Sequence, residues 1–275
     1  GEYKDGLKTG PFERYHENGN LQEKGILDLG FFLRGPVERY HENGQLEFQG
    51  TYDGLTATGP YKRFYESGKI WIEGTYQNGE LHGPFKKFYE NGQLMEKSNW
   101  KNDQLNGYLE YFYENGQLWE EGKFKEGKKE GLHIKYHENG QIREIINYKS
   151  GILNGIRLLI DKKGKLKEQE FYSDGMNDGR QIYFYDNGKI KEDKIFNMGS
   201  LNGEYKKYYR NGKIQEDANF VKNKKNGTSS WYFDNGVLSI QYKYSMGSIV
   251  DTVLTYFKSG KLKSQIPYRN NNPNG

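Results

Sequence analysis

The sequence predicts an all-β fold: an elongated single-layer antiparallel meander of about eleven tandem 24-residue β-hairpin repeats. Three observations predict it. A glycine recurs at one fixed period along the chain. The composition is polar yet rich in rings. Every period holds two turn signals separated by strand-length runs.

The period comes first. Gly19, Gly44, Gly68, Gly92, Gly116, Gly140, Gly164, Gly188, Gly212, Gly236 and Gly260 follow one step of 25 and then steps of 24. With this glycine as position 0, position −9 is also Gly from Gly10 to Gly227 and fails only at Asp251. Position +2 is always Leu or Ile. Position +8 is aromatic from Tyr52 to Tyr268, and position −4 is aromatic except at Ile160. Repeat architectures are recognised by such self-similarity.

Composition bounds the class. Of 275 residues only 33% are hydrophobic, too few for a large packed core. Yet 16% are aromatic, with 24 Tyr, which separates the chain from disordered sequences. Tyr with 36 Gly fits thin β structure, in which a ring covers a small patch and glycine serves the turns. Net charge is +4, from 41 basic and 37 acidic side chains spread without a basic block. That excludes the concentrated stripe of a nucleic-acid binder and argues against an anionic-membrane binder. There is no Cys, so no disulfide or thiolate site. No apolar run approaches a membrane span. The balance suits a cytoplasmic protein. The chain opens at Gly1 in mid-pattern, so earlier repeats or a leader could precede it, and a secreted or cell-surface setting stays open.

The hairpin follows from the period. Two strands of 6–8 residues and two short turns fill 24 residues. Asn-Gly, as at Asn18-Gly19, Asn91-Gly92 and Asn187-Gly188, predicts a two-residue type I′ turn. A second turn carries two glycines, as in Gly79–Gly83, with Pro11, Pro36, Pro60 and Pro84 starting the next strand. A two-residue turn pairs −3 with +2, −5 with +4 and −7 with +6. Tyr61 then covers Gly74, and Lys87 faces Glu96. On the other face Phe64 meets Trp71 and Phe112 meets Trp119. A three-residue turn would swap the faces. About 22 strands at ~4.8 Å would span roughly 100 Å. The array is expected over 1–268, followed by a polar tail, 269–275.

Segments such as Gly79–Leu94 (GELHGPFKKFYENGQL) and Gly199–Ile214 (GSLNGEYKKYYRNGKI) resemble the MORN-repeat variant family. The resemblance covers nearly the whole chain. It implies a tandem β-hairpin fold and no general catalytic motif. Bacterial proteins of this kind include a group assigned as antitoxins or immunity proteins, and others that look like surface or secreted interaction proteins. Repeat seven departs from the pattern, with Ile160-Asp161 for the aromatic pair and Lys163-Gly164 at the turn.

The search for chemistry finds no catalytic set and no cofactor or metal motif. His16, His41 and His137 share column −3 with Tyr residues, which points to structure; His82 and His133 stand alone without metal spacing. The +4 glutamates, Glu96 through Glu216, read as partners of cross-strand Lys or as solvated charges, or else as a stripe for a basic partner. The sequence therefore suggests a non-enzymatic protein-interaction scaffold, an antitoxin or immunity protein that masks a partner such as a toxin. The alternative is a secreted or surface-attached interaction protein. Candidate partner-binding residues are the −3 column, His41, Tyr65, Tyr89, Tyr113 and His137, and the apolar turn Phe31-Phe32-Leu33, three apolar residues where a turn is normally polar.

Overall fold

The computed structural model describes residues 2–30 and 32–273. Among them every regular element is a strand, and the pairings are antiparallel between strands adjacent in sequence. Residues group into two compact units, Gly1–Gly140 and Gln141–Gly275, where the sequence predicts one array. In the first, the meander runs from Leu7–Tyr15 to Lys128–Tyr136; in the second, from Ile142–Lys149 to Leu262–Ile266. The polar tail is not structureless. Tyr268–Arg269 pairs with Asn272–Pro273, so the last repeat completes its second turn.

The Asn-Gly turn is not the two-residue type I′ turn expected of it. At the Asn-Gly turn Gly19 has φ +87°, but Asn18 is not left-handed. Gly19 N–H donates to His16 O at 3.0 Å, and His16 N–H donates to Asn20 O at 2.8 Å. The loop is thus Glu17-Asn18-Gly19, a type I turn closed by a left-handed glycine. The two-residue type I′ turn lies at the other end of the hairpin. There Asn78 (φ +53°) and Gly79 (φ +85°) sit between the paired residues Gln77 and Glu80.

This corrects one pairing and preserves two. Tyr15 (−4), not His16 (−3), lies opposite Leu21 (+2). A bulge then leaves +3 unpaired, so Arg14 faces Glu23 and Phe12 faces Gly25 as expected. The bulged residue cancels the face swap that a three-residue turn alone imposes. Position +3 consequently joins the −3 face. Trp71 packs on Tyr65, with ring centroids 5.8 Å apart, and Trp119 on Tyr111 and Tyr113 at 5.6 and 6.4 Å, instead of on Phe64 and Phe112.

Columns −7, +4 and +6 share the buried face. Phe12, Val37, Tyr61, Phe85 and Leu109 are buried at −7. Each lies over a small residue at +6. A Cβ on Gly74 would stand 2.7 Å from the Tyr61 ring. In the second unit sizes trade across the pair: where −7 shrinks to Ser229, its +6 partner is Tyr242. Volume is kept while the residues change, which is how cores tolerate substitution.

Candidate functional site

The −3 column ties each repeat to the next. Tyr65 Oη–H donates to Phe88 O at 2.7 Å, Tyr89 to Phe112 O at 2.8 Å and Tyr113 to Tyr136 O at 2.8 Å. His16 and His41 do the same through Nε2, to Tyr40 O at 2.8 Å and Phe64 O at 3.1 Å. Tyr185 and Tyr209 continue the pattern in the second unit. The acceptor is always the −4 carbonyl one repeat on. His137 occupies the same half-buried place. The asparagine of the turn adds a second tie: Asn18 Oδ1 accepts Asn20 N–H, while its Nδ2 donates to Glu42 O at 2.8 Å. These rings therefore have a structural duty, with their polar atoms engaged inside the array.

The apolar turn lies only partly within reach. Phe31 lies outside the described residues. Phe32 begins a strand opposite Asp28, and half-buried Leu33 pairs with Leu27. Leu29 and Leu55 stand exposed at the same end of neighbouring hairpins, Leu55 at 78%.

Four of the +4 glutamates are withdrawn from solvent, while Glu168, Glu192 and Glu216 are half-buried. Glu23, Glu96, Glu120 and Glu144 are each under 10% exposed. Glu120 takes an ion pair from Lys129 at 2.6 Å and faces His133 Nδ1 at 3.7 Å. His133 is fully buried at −7, with Nε2 on Lys123 O at 3.0 Å. Burial alone would raise the Glu120 pKa; hydrogen bonding from His133 and Lys129, with the Lys129 and Lys135 charges, outweighs it and brings it down to about 2.

Repeat seven has the densest polar cluster. Arg157 replaces the apolar −7 residue and binds Glu144 at 2.8 Å, Glu168 at 3.0 Å and Glu170 at 2.6 Å. Glu170 sits at +6, where the first unit has glycine or serine, and also accepts Tyr172 and Tyr183 hydroxyls at 2.9 and 2.7 Å. Burial works to raise the Glu170 pKa, and the bonds from Tyr183, Arg157 and Tyr172 lower it overall. All these groups hold one another. With Glu144 and Glu170 buried and Arg157 half-buried, they form an internal network.

The opposite face of the same strands is different. In the first unit that face carries exposed ion pairs: Lys24–Glu38 at 2.8 Å, Lys62–Glu73 at 3.1 Å and Lys97–Glu110 at 2.7 Å. In the second unit the matching positions, −6 and +5, hold Ile145, Leu158 and Ile182 beside Gln169 and Asp193, and the flanking positions −8 and +7 hold Ile156, Phe171 and Ile195; the six apolar residues are half-buried. Register makes them neighbours. Ile145 faces Leu158, Ile156 faces Phe171, and Ile182 lies beside Gln169. The Arg180–Asp193 pair, 2.6 Å, borders this patch. Sequence reasoning missed it because it weighed columns one repeat at a time. Part of the signal was present: Leu158 and Ile182 at −6 and Ile145 at +5, where most repeats of the first unit carry charge.

The family model for the MORN repeat variant matches ten segments, residues 8–26, 33–53, 57–78, 81–102, 105–126, 129–150, 177–197, 201–222, 225–245 and 252–270. The stretch it passes over holds repeat seven. No curated protein matches. Solved structures similar to the chain include TcdB2-TccC3, at 12% identity and TM-score 0.21, over 96% of this chain and 15% of that one. A mutant Photorhabdus luminescens Tc holotoxin pore matches at 10% identity and TM-score 0.21, over 89% of this chain and 15% of its own. The chain thus spans about 15% of the length of these structures, and TM-scores this low add no argument. The family match covers well over half of the residues, and the chain belongs to the MORN repeat variant family.

Proposed function

We propose that this array is a non-catalytic scaffold that binds a protein partner on the outer face of repeats seven and eight and acts by covering the partner's surface, as an antitoxin or immunity protein does. One observation carries the reading: the paired residues Ile145 and Leu158, with Ile182 beyond Gln169, stand where most repeats of the first unit carry charged side chains. Half-buried apolar side chains on the outer face of a sheet leave apolar surface in water, and contiguous surface of that kind marks an interaction site. The bordering Arg180–Asp193 pair supplies the polar rim that interfaces place around an apolar centre. The −3 rings of the same unit, Tyr185 and Tyr209, support that face by tying its repeats together.

Photo-cross-linking tests it. A cross-linker placed at Leu158 should give one discrete protein adduct in cells of the source organism, while the same group at Lys62, on the outer face of the first unit, gives none. Equal labelling from both positions, or none from Leu158, contradicts the assignment.

A further inference from the structure

The Asn-Gly turn rims of the two units carry opposite charge. In the first, position −2 is Glu in every repeat: Glu17, Glu42, Glu66, Glu90, Glu114 and Glu138, all exposed. None of the six makes an ion pair among the described residues. In the second unit position −2 is Lys162, Arg210 and Lys258 in three repeats and Asp186 and Asp234 in the other two. Lys165, Lys189 and Lys213 occupy +1, where the first unit mostly has Asn or Gln. Each ammonium is held in place by the next turn, on Asp186 O at 3.0 Å, Asn211 O at 2.5 Å and Asn235 O at 2.6 Å. These acceptors are uncharged carbonyls, so the positive charge is positioned but not neutralised. The acids on this rim are already engaged: Asp186 by Lys167 and Arg210, Asp234 by Lys258.

We propose that the basic turn rim of residues 141–275 docks the acidic turn rim, residues 1–140, of a second copy of this chain. Charge complementarity supports it, and so does spacing. Each repeat advances the chain by two strands, about 10 Å along the rim. Carboxylates on one unit and ammonium groups on the other hang on the same turn, so both recur at that step. A second copy therefore matches the basic row charge for charge. An unrelated acidic segment would need its carboxylates at the same interval by coincidence. Rows of like charge repel within each rim, and pairing them with the opposite row relieves both. The surface used is separate from the apolar outer face, so the two proposals stand or fall independently.

Light scattering on the full chain across salt concentration tests this. At about 10 mM salt, where screening reaches ~30 Å, the mass should rise above the monomer with protein concentration; near 1 M, where it reaches ~3 Å, the chain should be monomeric. The triple variant Lys165→Gln/Lys189→Gln/Lys213→Gln keeps a hydrogen-bonding side chain, as in Gln45, Gln93 and Gln117, and should lose the association with its thermal transition intact. A charge swap decides the matter. Lys165→Glu/Lys189→Glu/Lys213→Glu and Glu66→Lys/Glu90→Lys/Glu114→Lys should each be monomeric alone and associate when mixed. A wild-type chain that stays monomeric at low salt overturns the proposal. So does failure of the two folded variants to associate on mixing.

Discussion

At the residue scale the informative group is the pair Gly122 and His133. A Cβ on Gly122 would fall inside the His133 ring, which is fully buried above it. Gly122→Ala should therefore destabilise the first unit by about 1–3 kcal/mol, the usual penalty of overpacking. His133→Ala alone opens a gap. Combined with Gly122→Ala it should recover part of the loss, a coupling that denaturant unfolding of all four chains can read. The staple ring Tyr89 gives a smaller effect. Tyr89→Phe removes only the hydroxyl that binds Phe112 O, and should cost about 0.5–1.5 kcal/mol. Glu120 sets a pH response. Its carboxyl is lowered to about 2, below its unfolded value, so the stability it contributes is complete above the ordinary Glu range and is lost as pH falls toward 2. Glu120→Gln should flatten the urea midpoint between pH 5 and pH 2, about where that carboxyl titrates. An acid limb as steep as the wild type's would show that other groups govern it.

At the scale of the hairpin, the sequence disclosed the period, the strand pairs −5/+4 and −7/+6 and the glycine bed beneath Tyr61. It misassigned the type of the Asn-Gly turn. Asn-Gly carries the strongest statistical link to a two-residue turn, but here Asn18 serves a local Oδ1 bond and a reach to the next repeat. Those long-range duties have no signature in one hairpin read alone. The bulge at +3 was equally hidden, since an unpaired residue can be any residue, and it moved Trp71 and Trp119 to the opposite face. The −3 column was visible as a column. Its role was not, because a ring that staples two repeats and a ring that contacts a partner look alike in sequence. Stapling makes a specific demand on deletions. Removing residues 92–115 joins repeats through identical positions and should leave a cooperatively folded, shorter array. Removing twelve residues instead mismatches both rims and should yield aggregated chain, as circular dichroism with size-exclusion chromatography would show.

For the whole molecule, stability is spread along the chain. Sizeable contacts in each unit lie between strands adjacent in sequence, so each repeat leans on its neighbours. Such an array tolerates local change, and repeat seven shows it. There the −3 ring is replaced by Asp161, whose carboxylate accepts its own turn's Lys163 and Lys165 amides at 2.9 and 3.0 Å. The buried face becomes an Arg157–glutamate network, and the outer face becomes apolar. A repeat that abandons the family pattern on both faces, in an array that otherwise keeps it, is where selection for something other than folding shows. The most direct test measures the affinity of the protein captured through Leu158, by calorimetry, for wild type and for Leu158→Glu/Ile182→Glu. The outer-face assignment predicts a loss of at least about 100-fold, near 2.7 kcal/mol, with the thermal transition retained. Undiminished affinity in a folded double variant would contradict it.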